Sequence, residues 1–270
     1  MNSGQRVIKY IAIAFAASLA ITIIGGIGSA VIGLAGGFSS GKTINFEDTF
    51  NNVKSIKVES STAKITIVEG DSFEVTGEDV SDSMKAYVEN NVLIVKDTDK
   101  GLFSVLDGGA DGRITITVPE DFVAEFTRID TGTGKVNLEN FDTKRLEIAA
   151  GTGNISGSYI NASQVSIEGG VANIRLNNVA FNDTTIDGGV GNIEIQGTLT
   201  GRTNLDCGVG SVNLSIVGDY DDYNIEVEAG LGSIRINGEK VSEMNKSVIG
   251  AINDLNVEGG VGSINIDIQE

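Results

Sequence analysis

The chain has 270 residues, 40% of them hydrophobic, with 36 Gly, a single Pro and no Trp. Its net charge of −18 repels phosphate backbones, which argues against nucleic acid as a partner. With no His and one Cys, a disulfide framework, a Cys/His zinc site and Ser-His-Asp or other His-dependent catalysis are excluded as well.

Arg6 and Lys9 precede an uncharged run over residues 10–41, and every Asp and Glu follows it. As a helix that run would extend roughly 48 Å, whereas a bilayer core needs only about 20 residues. The sequence therefore predicts a transmembrane helix over residues 10–34, behind a cytoplasmic tail of residues 1–9 and ahead of a Gly/Ser linker at 35–42. A cleaved signal peptide is the rival reading, but its apolar region would be shorter and end in a small-x-small site. The positive-inside rule puts residues 42–270 outside the membrane. An ectodomain this acidic is repelled by anionic lipid, so residues 10–34 are the expected membrane contact.

Gly36 to Thr43 reads Gly-Gly-Phe-Ser-Ser-Gly-Lys-Thr and matches the phosphate-loop pattern letter for letter. That loop works only between a buried strand and a helix N-terminus facing the phosphates. Here the upstream run is too long for a strand, and no α/β alternation follows. Nucleotide binding is rejected.

Residues 43–128 read as the irregular first part of an all-β ectodomain, with strands expected at 53–58, 65–68, 73–76, 92–95 and 113–118. From residue 129 to 270 the sequence repeats. Gly132, Gly151, Gly170, Gly189 and Gly208 lie 19 residues apart, and further copies follow at Gly230 and Gly260. An earlier, degenerate copy around Val58 aligns with the one around Val257. Three residues before each turn Gly stand Ile129, Ile148, Ile167, Ile186, Leu205, Val227 and Val257; four after stand Val136, Ile155, Ile174, Ile193, Val212, Ile234 and Ile264. Six after, the apolar column has one gap, at Gly157. Period-two alternation marks half-buried strands. Equivalence at one fixed period marks stacked coils, in which each column selects one residue type. The fold class expected is therefore all-β, a parallel β-solenoid of about 19-residue coils preceded by one transmembrane helix. Residues 239–254 read as an inserted surface loop or short helix.

Two further columns carry polar groups. Asn154, Asn173 and Asn192, then Ser211, Ser233 and Ser263, can hydrogen-bond along the stack. Two residues before each turn Gly lies an acidic column: Asp130, Glu168, Asp187, Asp206, Glu228 and Glu258, interrupted by Ala149. Glu168, Asp187, Asp206, Glu228 and Glu258 are the candidate metal ligands, since Ca²⁺ takes several carboxylate oxygens. The plainer reading is a solvated acidic stripe, because in the Ca²⁺-binding nonapeptide repeat the Asp follows the Gly turn instead of preceding it. No other cofactor is expected, and Cys207 falls in a column of small corner residues.

These features resemble the bacterial putative-adhesin domain family. The resemblance rests on Val53-Lys54-Ser55-Ile56-Lys57-Val58-Glu59-Ser60, on Arg113-Ile114-Thr115-Ile116-Thr117-Val118-Pro119, and on the repeated Gly-x-Gly-x-Ile turns. It implies a bacterial cell-membrane protein, single-pass, with an extracytoplasmic ectodomain, and it supplies no catalytic residues. The expected function is a non-catalytic, adhesin-like binding module for an envelope protein or cell-wall polymer. The alternatives are a regulatory component of a cell-envelope stress response and a polysaccharide-active enzyme. The enzyme reading is weakened by the absence of any local break in the repeat where unlike residues would converge.

Overall fold

The computed structural model describes residues 43–98 and 112–270. The expected membrane helix at 10–34, its flanking tail and linker, and all of the phosphate-loop motif except Thr43 lie outside the described residues. Within them no helix is long and apolar enough to cross a membrane. The only helical element among the described residues is a 3₁₀ turn, Tyr220–Asp222; everything else regular is β.

The strands are β1 Thr43–Phe50, β2 Ser55–Ser60, β3 Lys64–Gly70, β4 Phe73–Ser81, β5 Met84–Glu89, β6 Val92–Asp97, β7 Arg113–Pro119 and β8 Val123–Ala124. Next come β9 Thr127–Val190, β10 Ile193–Val209, β11 Val212–Val217, β12 Tyr223–Leu231 and β13 Ile234–Ile236. The chain ends with β14 Glu239–Val241, β15 Met244–Lys246, β16 Asn253–Val261 and β17 Ile264–Gln269. All five strands expected between 53 and 118 are present, their ends shifted by a few residues. β1 and β5 were not foreseen. Both begin or end in polar stretches whose alternation is weak.

The 19-residue register is real. β9, 64 residues long, carries more than three coils without a break. Ile174 pairs with Ile193 and Ile186 with Leu205, in parallel. Each coil has three sides. The first two are the predicted columns, buried throughout: Ile129, Ile148, Ile167, Ile186 and Leu205 on one, Val136, Ile155, Ile174 and Ile193 on the other. The third was not read from the sequence. Phe141, Ile160 and Val179 recur at 19 residues and close the core, and Phe181 and Leu199 fill it from the next inward position. This side also explains the gap at Gly157. A Cβ there would lie 2.5 Å from Ile160 Cδ1 and 3.2 Å from Leu176 Cδ2, so these neighbours already occupy its volume.

Stacking order departs from chain order at both ends. The last coil in sequence lies between its two predecessors: Leu205 pairs with Val257, and Val257 pairs in turn with Val227. On the second side Val212 pairs with Ile264, and Ile264 with Ile234. The expectation that the copies at Gly230 and Gly260 simply follow Gly208 is thus corrected. After β11 the chain skips one level, builds β12 and β13, and returns to fill the vacant level with β16 and β17. The first coil does the same in reverse. β2 lies between β6 and the start of β9, with Val58 facing both Val95 and Ile129. β3 lies between β7 and β9, with Ile65 facing Ile114 and Val136.

The excursions that make these skips possible also cover the stack ends. β5 runs antiparallel on β6, and β4 antiparallel on β7, with β1 outside β4. At the far end β15 lies antiparallel on β12, and β14 on β13. Residues 239–254 therefore form a reversed, strand-bearing cap where a loop or short helix was expected. Lys246 anchors it, with Nζ 3.5 Å from the Tyr220 ring centroid and 3.2 Å from an Asp221 carboxylate oxygen.

Close stacking is tightest two residues after the turn Gly. At Gly191 φ is +143° and at Gly210 it is +150°, a region that L side chains avoid. A Cβ on Gly210 would meet the carbonyl oxygen of Gly191 at 1.8 Å. Gly238, also left-handed at φ +82°, has nothing within 4 Å of such an atom. Gly238→Ala should cost about 1 kcal/mol of backbone strain. Gly210→Ala adds a backbone clash and should cost more than about 3 kcal/mol. Urea unfolding of the two variants measures the difference, and equal losses would contradict the close approach.

Candidate functional site

The Gly corner between the first and second sides is the most regular surface of the molecule, and three outward columns meet there. The acidic column lies on its first side. Its order along the stack is Glu59, Asp130, Ala149, Glu168, Asp187, Asp206, Glu258 and Glu228, because the intercalated last coil places Glu258 between Asp206 and Glu228. On the second side lies the Asn/Ser column. Asn173 Nδ2 donates to Asn154 Oδ1 at 3.4 Å, but the next two links change form. Asn192 N donates to Asn173 Oδ1 at 3.0 Å and Ser211 N to Asn192 Oδ1 at 2.9 Å. Ser263 Oγ then donates to Ser211 Oγ at 3.1 Å, a link across the chain-order skip. The amide ladder is thus only partly side chain to side chain. Elsewhere it ties each side chain to the backbone of the next coil.

Between these two lies a column absent from the sequence reading. One residue after the turn Gly stand Thr133, Thr152, Val171, Val190, Val209, Val261 and Leu231 in stack order. The four Val are half-buried on the outside of the corner, and Leu231 is 57% exposed. The 19-residue period marks this column as clearly as it marks the core. It was missed because an apolar residue beside a Gly turn reads as part of the core.

The acidic column changes character along its length. Near its start cations stand two residues earlier on the coil. Lys57 Nζ is 2.6 Å from Glu59, and Arg128 Nε is 2.9 Å from Asp130 while its Nη1 reaches Glu147 at 3.3 Å. Beside Asp130 the neighbouring carboxylate holds the Arg128 guanidinium above its ordinary pKa. From Glu168 onward the equivalent positions are Ser166, Thr185, Asn204 and Asn256, which carry no charge, and then Glu226. The start of the column borders a groove of about 1000 Å³ floored by Gly132, Gly151, Gly170 and Gly189.

Cys207 lies on the inner side of this corner. Its thiol is buried, and desolvation, helped by Asp206 and then Asp187, pushes its pKa up to about 11. The thiolate is the reactive form, so Cys207 is inert at neutral pH and serves as a small core residue, as its column suggested.

The candidate metal ligands Glu168, Asp187, Asp206, Glu228 and Glu258 are brought into one line, one per rung, at the spacing of stacked strands. Among the described residues no three Asp, Glu or Cys side chains converge as a metal site requires. A line of carboxylates interacts with cations chiefly by screening. Ca²⁺ and Mg²⁺ at the same millimolar concentration should therefore shift the melting temperature alike. A Ca²⁺-specific rise of more than about 3 °C, roughly 1 kcal/mol for a domain of this size, would contradict this.

The family model described as Toastrack DUF4097 matches residues 53–249. Among solved structures, a putative adhesin from Bacteroides fragilis is 16% identical, over 85% of this chain and 100% of that one, with a TM-score of 0.44. A putative cell adhesion protein from Clostridium sporogenes is also 16% identical, with the same coverage and a TM-score of 0.39. A putative adhesin from Parabacteroides merdae is 12% identical, over 84% of this chain and 97% of that one, at 0.31. No curated protein matches the chain. Since the family model covers well over half of the chain, from the first coil into the far cap, the chain belongs to the Toastrack DUF4097 family.

Proposed function

We propose that this protein is a membrane-anchored, extracytoplasmic binding module without catalytic activity, whose partner is an envelope protein or a cell-wall polymer. The observation that carries the binding role is the Gly corner. From Val171 to Leu231 it presents the same three columns on five successive rungs. A surface that repeats along an axis suits a partner lying along that axis. Catalysis instead needs unlike groups converging at one point. Support for the anchor comes from the sequence: the uncharged run over residues 10–41 with Arg6 and Lys9 before it and every carboxylate after it.

The location in this reading is tested by labelling intact cells with a membrane-impermeant maleimide. Glu243 is exposed in the distal cap, and Glu243→Cys in a Cys207→Ala background supplies one accessible thiol. Ala suits position 207 because Ala150 and Ala229 already occupy that column. Labelling without lysis is expected. Labelling only after lysis would place the solenoid in the cytoplasm and end the envelope reading.

A further inference from the structure

The corner carries more than a generic binding surface. Val171, Val190, Val209, Val261 and Leu231 form an apolar ladder on the outside of the solenoid. Strand spacing sets its steps at about 4.8 Å, so five rungs span roughly 19 Å. An extended peptide laid along the axis presents alternate side chains every ~6.7 Å and falls out of step within two rungs. A helix with apolar residues at alternating spacings of three and four presents one every ~5.3 Å, or about 21 Å for five. The helical spacing fits the ladder and the extended one does not.

Charge selects the helix further. Three residues earlier on the same coils run Glu168, Asp187, Asp206, Glu258 and Glu228, on the solvent side and parallel to the ladder. A helix is about 10–12 Å across with its side chains. One seated on the ladder would therefore hold its flanking residues over the acidic line. The other flank faces Asn173, Asn192, Ser211, Ser263 and Ser233, which are uncharged. A complementary partner is thus apolar on its seam, basic on one flank and neutral on the other.

We propose that the Gly corner from Val171 to Leu231 is a docking site for an amphipathic α-helix of a partner protein, with basic residues along one flank of its apolar seam. This rests on the corner being the binding surface and does not depend on which side of the membrane it occupies.

The test uses the full-length chain in phosphatidylcholine nanodiscs, with empty discs as the blank. The probe is an 18-residue helical peptide with Leu at a and d, Lys at e, and Gln and Ala elsewhere. The variant is V171T/V190T/V209T, which is expected to fold because Thr133 and Thr152 hold the same position on earlier rungs. The wild type should bind the probe, and the triple variant at least tenfold more weakly with an unchanged melting temperature. Glu in place of the probe's Lys should abolish binding. Equal affinity for wild type and variant would mean charge-driven adsorption and would overturn the site, as would absence of binding to the wild type. Self-association of the wild type that the triple variant abolishes would assign the ladder to a second copy of the chain and would also overturn it. Each of these failures leaves the cell-labelling result untouched, so the two readings fail separately.

Discussion

Backbone contact between successive coils at the Gly corner sets the height of every rung. Gly191 N donates to Val209 O, Gly210 N to Val261 O and Gly262 N to Leu231 O, at 2.8–2.9 Å. With the carbonyl of Gly191 standing where a Cβ of Gly210 would be, no side chain fits at Gly210 in its present backbone conformation. Once that spacing holds, every equivalent residue is placed directly over its neighbour. The core columns, the acidic line and the outer apolar ladder all follow from it. Burial of each Ile or Val in the core contributes about 1.5–3 kcal/mol, and the repeat delivers several per coil.

A stack of parallel strands has two open ends, each a template for pairing with another chain. The protein closes both by the same device, a chain excursion that skips one level, folds back antiparallel and returns to fill the gap. The outermost strands at the far end are short and carry Glu239, Lys240 and Lys246, which discourage further pairing. At the near end β1 is bulged between Ile44 and Phe46 and carries Glu47 and Asp48 on its length. Filling the skipped level also means that the first and last coils each lie between two others. Neither chain end of the solenoid can peel away without breaking parallel pairing on both of its faces.

Much of this was legible because a solenoid writes its geometry into the sequence with one period. The 19-residue spacing gave the parallel coils, the two Ile/Val columns, the outward acidic line and the small corner around Cys207. The parts that were not legible have physical reasons. The third side was overlooked because Phe141, Ile160 and Val179 follow residues in the left-handed region, Asn140, Tyr159 and Asn178, and such corners break the period-two alternation. Stack order was hidden because periodicity tells which positions are equivalent and nothing of which copies are neighbours. The longer intervals before Gly230 and Gly260 marked where the chain leaves the stack without saying that it skips a level. The outer Val ladder obeys the same period as the core, and only burial separates the two.

The order of coils carries the rest: it sets the neighbours of Glu258, the continuity of the apolar ladder and the closure of the far end. It is tested most directly by cross-linking in a Cys207→Ala background. Asn213 and Asn265 are in register on adjacent rungs, and Asn265 Nδ2 donates to Asn213 Oδ1 at 2.8 Å. Arg235 is in register with Asn265 on the far side, two rungs from Asn213. A disulfide needs Cα atoms about 4.4–6.8 Å apart, which adjacent rungs meet and alternate rungs, at roughly 9.6 Å, do not. Mild oxidation should close the N213C/N265C pair in the folded protein and leave N213C/R235C open. Closure of N213C/R235C with N213C/N265C left open would contradict the intercalated order and mean that the coils stack as they follow one another in the chain.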